Sequence, residues 1–531
     1  MTDWNRLVDV LAAIQSDRRI AIHFVIDSGS RFAAGLRGYL SSIGITPLSW
    51  ARAKARHFDL VLAAHANCRM AELSGPRVLL PHGAGYSRIV PWATGDDTSP
   101  AGMARAQIVG VDGSLPRVIC LSHQAQHDQL RSACREAGDR GVVIGDPTFD
   151  RMDANKSRRA RYRRALGVGD RRTLVVLTST WGRHSTVGID DTLAHRLVAQ
   201  LPSDEFRVAL VLHPNVWFRH TMWTIRRAFK DPLDAGMMII PPESGWQAVL
   251  LAADVVIGDH GSVAFYGAAL GTPFLLAATG LAELDQRSPR SLLPSVATRL
   301  DPDGDLAAQV RAVIARHDPG PITAVTDLTL GRPGESLAIL QRELYQVLDL
   351  LPAGRPRTLA FPDPKPERGD EPTAHLVAAR VRPDGHAIEL TRYPAILRDH
   401  RRPDDRTELC TVVENSEVDQ RQRESADVLV NADTATERNA TAWIKRILDR
   451  YPGAGMAVAS TKTDCLIGLR DGTRLLATST SRLDPAHVAA AVHGWLVEGR
   501  AEPTATTLHV CLGPNRWSMS IRPLRYPGRS P

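Results

Sequence analysis

Four places in this 531-residue chain set polar residues or glycines directly after short apolar runs, where side chains can meet a ligand. The first is Leu80-Pro81-His82-Gly83-Ala84-Gly85. An imidazole with its ordinary pKa of about 6.5 suits His82 to take a proton from a hydroxyl, and a turn histidine satisfied by backbone is the simpler role. The second is His213-Pro214-Asn215, where Pro214 ends an apolar run and leaves His213 in the matching place of a later unit. The third is Gly258-Asp259-His260-Gly261-Ser262, followed by an apolar helical segment. A helix beginning at Ser262 aims its free N–H groups and positive dipole end at whatever lies in front of it, which suits a phosphate or diphosphate. Gly261 would let the anion approach, and plain N-capping is the simpler role of Ser262. The fourth is Gly145-Asp146-Pro147-Thr148-Phe149-Asp150, which either shapes a cleft, with Gly83 and Pro214, or is only a turn. Ser179 and Thr180, before Trp181 and Gly182, are further positions that could face a phosphate or base. Walker A, H-E-x-x-H, G-x-S-x-G and paired metal-ligand motifs are all missing, so neither metal nor cofactor is expected.

Positioning such residues falls to the elements around them. Over the first 350 residues short apolar runs alternate with helical patterns. Strands are expected at 19–27, 60–64, 77–80, 118–121 and 141–145, with a Gly/Ser loop at 28–30 leading into a helix near 32–42. The rhythm restarts with strands at 172–177, 207–212, 237–240, 255–257 and 273–276, and helices at 192–200 and 245–253. This predicts an α/β chain of two doubly wound, Rossmann-like domains, 1–150 and 151–350, facing a cleft. A helix near 335–350 closes the second. Residues 351–373 hold six prolines and read as an extended linker. Beyond it, 374–531 forms a separate α+β domain, with strands at 456–460, 465–469 and 508–512 and helices at 441–450 and 485–497.

Composition narrows the class. A 43% hydrophobic and 23% charged chain is an ordinary globular one, and the length allows about three domains. Six scattered cysteines make neither a zinc framework nor a disulfide scaffold, and the N-terminus lacks the layout of a secretory signal, so a cytoplasmic protein is expected. Residues 261–282 carry no charge, but the Gly271-Thr272-Pro273 break favours a buried helix, a turn and a buried strand over a membrane span. The formal charge of +7 favours anionic partners. Arg151, Lys156, Arg158, Arg159, Arg161, Arg163 and Arg164 crowd the join between the halves. They read as a solvated helix face, with peripheral contact to the inner face of a membrane as the alternative. No aromatic residues interleave them in the way a nucleic-acid platform requires, so nucleic acid is not the expected partner.

The order of these motifs resembles the GT-B superfamily of nucleotide-sugar-dependent transferases. Within it, the nearest group is CDP-glycerol glycerophosphotransferase-like, which builds teichoic-acid-type polymers. The likeness spans roughly residues 19–350. It implies a nucleotide-diphosphate donor and a glycan, polyol or polymer acceptor of the cell envelope. His82 matches the group's acceptor base, and His213 with Pro214 matches its histidine–proline strand end. Asp254, Ile257, Asp259 and Ser262 match its donor-phosphate segment, and Gly145, Pro147 and Asp150 its join. By implication His213 or His260 assists the phosphates, without a metal. The chain departs from the group at Pro81, at Ala84-Gly85-Tyr86 and at His260-Gly261, where the group has tyrosine–serine. Two alternatives therefore stand beside the transferase: a catalytically altered binding or regulatory protein, and a sugar-nucleotide 2-epimerase, for which the carboxylates Asp27, Asp146 and Asp259 are few.

Overall fold

The protein is described from a computed structural model, which covers residues 1–27, 35–66, 68–243, 245–383, 385–402, 408–479, 483–497, 505–513 and 515–524. Its first sheet has four parallel strands, β1 (Val61–Ala63), β2 (Arg77–Leu79), β3 (Val118–Leu121) and β4 (Gly141–Val143), in that spatial order. Helices α1 (Thr2–Leu11) and α2 (Leu36–Ser42) belong to the same part of the chain. The strand expected at 19–27 is not formed. That segment makes one bridge, Val25 with Leu48, and no pairing with β1, whose outer edge has no strand partner among the described residues. Its side chains pack to either side instead, Phe24 against Trp4 and Val25 in a cluster with Val61 and Leu73. Without it the described strands of this sheet show no reversal of order, so the doubly wound first half is corrected to a sequential one. The expected Gly/Ser loop and the start of its helix lie outside the described residues.

The second sheet matches the expected rhythm. Strands β5 (Thr173–Ser179), β6 (Phe206–Leu212), β7 (Met238–Ile240), β8 (Val255–Gly258), β9 (Phe274–Leu276), β10 (Thr298–Arg299) and β11 (Glu367–Arg368) lie in the order β10-β9-β8-β5-β6-β7-β11. All neighbours are parallel except β11 on β7. The chain winds one way from β5 through β6 to β7 and the other way from β8 to β10, so the switch point lies between β5 and β8. Ligands of open α/β sheets bind outside the carboxyl ends of strands at such a point. Its helices include α3 (Pro147–Ala154), α4 (Arg159–Ala165), α5 (Leu193–Gln200), α6 (Pro214–Arg219), α7 (Trp246–Ala252) and α8 (Ser262–Ala269). The uncharged stretch 261–282 is α8, a turn and β9, and among the described residues no helix is long and apolar enough to cross a membrane. Helix α9 (Ser336–Val347) returns to the first sheet, where Leu337, Leu340 and Leu344 share a core with Val10, Val78 and Cys120.

Residues 351–373 run extended, as their prolines require, but they are docked rather than free. β11 adds an antiparallel edge to the second sheet, and Phe361 is buried in its core. The basic join is committed to this strap and to the sheet. Arg151 donates to the carbonyls of Leu359 and Ala360 and pairs with Asp9 at 2.7 Å. Arg161 pairs with Asp363, and Arg159 and Arg163 share Asp254. Lys156 pairs with Asp153. Four of the seven cations thus anchor packing and a fifth pairs locally.

The C-terminal part contains the expected strands and helices, but they close on themselves. Its strands are β12 (Ala374–Val381), β13 (Ala387–Pro394), β14 (Leu409–Glu414), β15 (Val428–Asn431), β16 (Met456–Ser460), β17 (Asp464–Leu469), β18 (Arg474–Ser479), β19 (Thr506–Leu512) and β20 (Asn515–Pro523). They form a closed barrel in the order β12-β13-β19-β20-β18-β17-β16-β15-β14. Alternation sorts their side chains: Val377, Met456, Val458 and Ile467 pack with helix α11 (Pro485–Val497), while Leu376, Ala457, Ala459 and Leu466 pack with α10 (Glu437–Arg450). Because α11 is apolar all round and shares its core with every strand of the barrel, it fills the interior. Cys120, Cys134, Cys410, Cys465 and Cys511 are free thiols.

Candidate functional site

One cavity of about 660 Å³ collects the loops that follow β2, β5, β6 and β8. His82, Gly83, Ser179, Thr180, His213, Pro214, Asp259, His260, Gly261 and Ser262 all line it. Gly145 and Asp146 do not. Asp146 is buried below the cavity, where it takes a bidentate pair from Arg6 (2.9 and 3.2 Å), the Tyr266 hydroxyl (2.9 Å) and the Phe149 N–H (2.9 Å). It thereby fastens α1, α3 and α8 together, a positioning role. Asp150 likewise accepts the N–H groups of Gly334 and Ser336 at the start of α9. Asp254 sits at the opposite end of β8 with Arg159 and Arg163.

His82 gains a partner from the first turn of α1. Its Nδ1 lies 2.7 Å from Asp3 Oδ1, which leaves Nε2 to meet a ligand. Withdrawal from water would raise the Asp3 carboxyl, but His82 beside it, helped by His65 and the N-terminal ammonium, holds it down to about 2. A carboxylate that stays ionised next to an imidazole can orient the ring. His65, at the end of β1, packs its ring edge-on to His82 with centroids 5.7 Å apart.

The loop carrying His82 touches the start of α8. The Ala84 N–H donates to Ser262 Oγ at 3.3 Å, and a Cβ at Gly83 would collide with that same oxygen, so Gly83 is needed for the approach. Ser262 Oγ also accepts from Arg290 at 2.9 Å, and Arg290 donates its other terminal nitrogen to Ser87 Oγ at 3.0 Å. Arg290 is 6% exposed, its Nε has no hydrogen-bond partner, and among the described residues no carboxylate forms an ion pair with it. Burial lowers the guanidinium to about 10, opposed by Tyr266, Asp146 and Asp259 farther off, so it stays charged at neutral pH. A buried cation without a carboxylate partner, on a cavity wall beside a helix N-terminus, is chemically suited to an anionic ligand.

Asp259 is fully buried and spent. It accepts the N–H groups of Thr180 (2.8 Å), Thr186 (2.9 Å) and Gly261 (2.9 Å), tying the loop after β8 to the loop after β5. Ser179 Oγ accepts from the Val187 N–H, which holds the same loop. His213 caps α6: its Nδ1 accepts the Asn215 N–H at 3.1 Å, so the neutral ring carries its proton on Nε2. Burial, reinforced by His82 and Arg88, pushes His213 well below its ordinary value, making it a neutral N–H donor at physiological pH. His260 Nε2 lies 3.1 Å from Glu283, which is bound by Arg88 at 2.6 Å. Arg88 also donates to the Trp181 carbonyl and lies over the Trp181 ring at 4.1 Å. Asp3, His65, Arg88, Glu283 and Arg290 escaped the sequence reading. None lies in a recognisable motif, and each gains meaning only through a partner distant in sequence.

No family model matches the chain, and no curated protein matches it. The structure is similar to several solved structures. The wall teichoic acid polymerase TagF has 15% identity over 52% of this chain and 69% of its own, with a TM-score of 0.34. MnaA from S. aureus, solved with UDP, has 10% identity over 68% and 97%, with a TM-score of 0.43. The UDP-GlcNAc 2-epimerase of Neisseria meningitidis, bound to UDP-GlcNAc, has 12% identity over 65% and 88%, with a TM-score of 0.37. Likenesses of this size carry no argument about the fold class or the site.

Proposed function

We propose that this chain is a transferase that moves a phospho-alditol such as glycerophosphate, or a sugar, from a nucleotide-diphosphate donor to an acceptor hydroxyl. Its cleft would lie between two Rossmann-like halves arranged as in GT-B proteins. The observation that carries this reading is Arg290, a buried cation with no carboxylate partner among the described residues, joined through Ser262 to the N-terminus of α8 at the switch point of the second sheet. The motif order in the sequence supports the same reading.

In this account the donor diphosphate lies against the first N–H groups of α8, Arg290 and the His213 N–H. The acceptor hydroxyl faces His82. As its oxygen attacks, its proton passes to His82 Nε2, and Asp3 stabilises the imidazolium. For a phospho-alditol donor, a bond forms from the acceptor oxygen to the phosphorus bearing the alditol. The bond from that phosphorus to the bridging oxygen breaks, and its electron pair leaves on the nucleoside monophosphate. For a sugar donor, the new bond goes to the anomeric carbon and a nucleoside diphosphate leaves. In either case Arg290 and the helix terminus meet the charge that grows on the leaving phosphate, and no metal is needed for that task.

Incubating the full chain with CDP-glycerol and with UDP- and GDP-sugars, with and without acceptors, and measuring released nucleotide tests this directly. Release from one donor class, reduced about 10²-fold or more in His82→Ala, is expected. An absence of release from every donor would count against the transferase, and conversion of a UDP-sugar to its 2-epimer without acceptor would replace it with the epimerase.

A further inference from the structure

We propose that the acceptor carries its hydroxyl on an apolar body, and that this body occupies a slot between residues 23–27 and the open edge of β1. The inference rests on the transferase reading and names its acceptor class. The cavity that holds His82 continues past His65 into the part of the molecule built from α1, α2 and β1. There its walls are Trp4, Phe24, Leu36, Trp50, Phe58 and Met70. The slot exists because residues 19–27 do not pair with β1. Its side chains belong to two clusters, Trp4, Phe24 and Leu36 in one and Val61, Trp50, Phe58 and Met70 in the other, with Val25 of the 23–27 segment joining the second and the His23 ring 6.4 Å from that of Phe58. Among the described residues, the polar groups nearest these walls include His23, His65, Asp3 beside His82, and Asp27, which is paired with Arg69 at 2.6 Å, with Asn5, Arg6 and Asp9 of α1 also on the cavity lining.

The donor has no claim on this space. Arg290, Ser262 and the helix N–H groups lie on the far side of the His82 loop, on the second sheet, whereas every apolar residue named precedes β2 in the chain. A polyol or glycan in the slot would leave its hydroxyls against hydrocarbon without partners. An aromatic or alkyl alcohol would bury its body and keep its single hydroxyl at His82, the pattern of an apolar site with few polar groups fixing orientation.

The test uses 2-naphthol as the apolar acceptor and glycerol as the polyol. Binding is followed by calorimetry, and transfer by released nucleotide and by product mass. The double variant Leu36→Gln/Met70→Gln alters half-buried walls, and Leu36→Met/Met70→Leu is its conservative counterpart, with circular dichroism as the check of folding. The expected result is that 2-naphthol binds, accelerates nucleotide release more than glycerol does, and binds the glutamine variant roughly tenfold more weakly while the conservative variant keeps its affinity. Failure of 2-naphthol to bind, equal binding to the folded glutamine variant, or transfer to glycerol but not to bound 2-naphthol overturns the proposal. If no donor is turned over at all, the transferase reading falls. Loss of 2-naphthol binding in the glutamine variant would then still uphold an apolar ligand in the slot.

Discussion

Asp3 and His82 form a pair that neither residue announces in the sequence. A histidine before glycine at a strand end is a weak sign, and an aspartate at position 3 is none. Their meeting depends on α1 lying across the carboxyl end of the first sheet, and Asp146 secures that helix through Arg6. Replacing Asp3 by Asn removes the charge but keeps the shape. It should lower kcat roughly tenfold or more while leaving the Kd for nucleotide unchanged, a split that separates positioning from donor binding. The buried histidines set a pH dependence of another kind. Burial, with Arg392 nearby, depresses His375 to about 3, so the folded chain excludes a proton that the unfolded chain binds below about 6.5. Its stability contribution is therefore level above that value and falls as pH drops from there toward about 3. Denaturant midpoints measured from pH 7 to pH 4 should decline, and His375→Gln should flatten part of that decline.

The elements divide by how local their cause is. β5 to β9, with the helices between them, were legible because each strand is a short apolar run bounded by turn residues, and parallel pairing follows from the alternation. The loop after β8 was legible for the same reason, since Ser262 begins a helix directly after a buried strand. Residues 19–27 have the composition of a strand yet fail to become one, because a strand also needs a partner edge and their side chains find packing elsewhere. Closure of the C-terminal strands into a barrel could not be read either: β13 pairs with β19 and β18 with β20 across long stretches of chain, and no local signal encodes such pairings. One contact tests the fit of α11 within it. A Cβ at Gly494 would collide with Ala379 Cβ on β12, so Gly494→Val should destabilise the protein by about 1–3 kcal/mol in thermal or denaturant unfolding.

At the scale of the whole molecule, the parts are joined by more than chain connectivity. Leu397, which follows β13, is fully buried in the core of the second sheet, and Arg392 grips Asp204 through two hydrogen bonds of 2.7 and 2.9 Å. The proline-rich stretch, read from composition as an extended linker, runs extended and is docked on the second sheet. The reason lies in Phe361, a single aromatic residue that a proline-rich context hides, buried beside Met152 and Tyr162 and covered by the Arg151 guanidinium at 4.1 Å. Phe361→Ala should cost about 3–5 kcal/mol, read as a lowered unfolding midpoint of the full chain. The same stretch holds two cations of the basic join, Arg151 and Arg161, while Arg159 and Arg163 pair with Asp254 on the second sheet.

Central to the proposed function is that Arg290 and the start of α8 hold a nucleotide's phosphates. Its most direct test is equilibrium binding of CDP, UDP and GDP to the wild-type chain and to Arg290→Ala. One nucleoside diphosphate should bind the wild type, with affinity reduced at least about tenfold in the variant, as expected for loss of a charged hydrogen-bond donor. Equal affinity of the two proteins, or no binding of any nucleoside diphosphate to the wild type, would contradict the account.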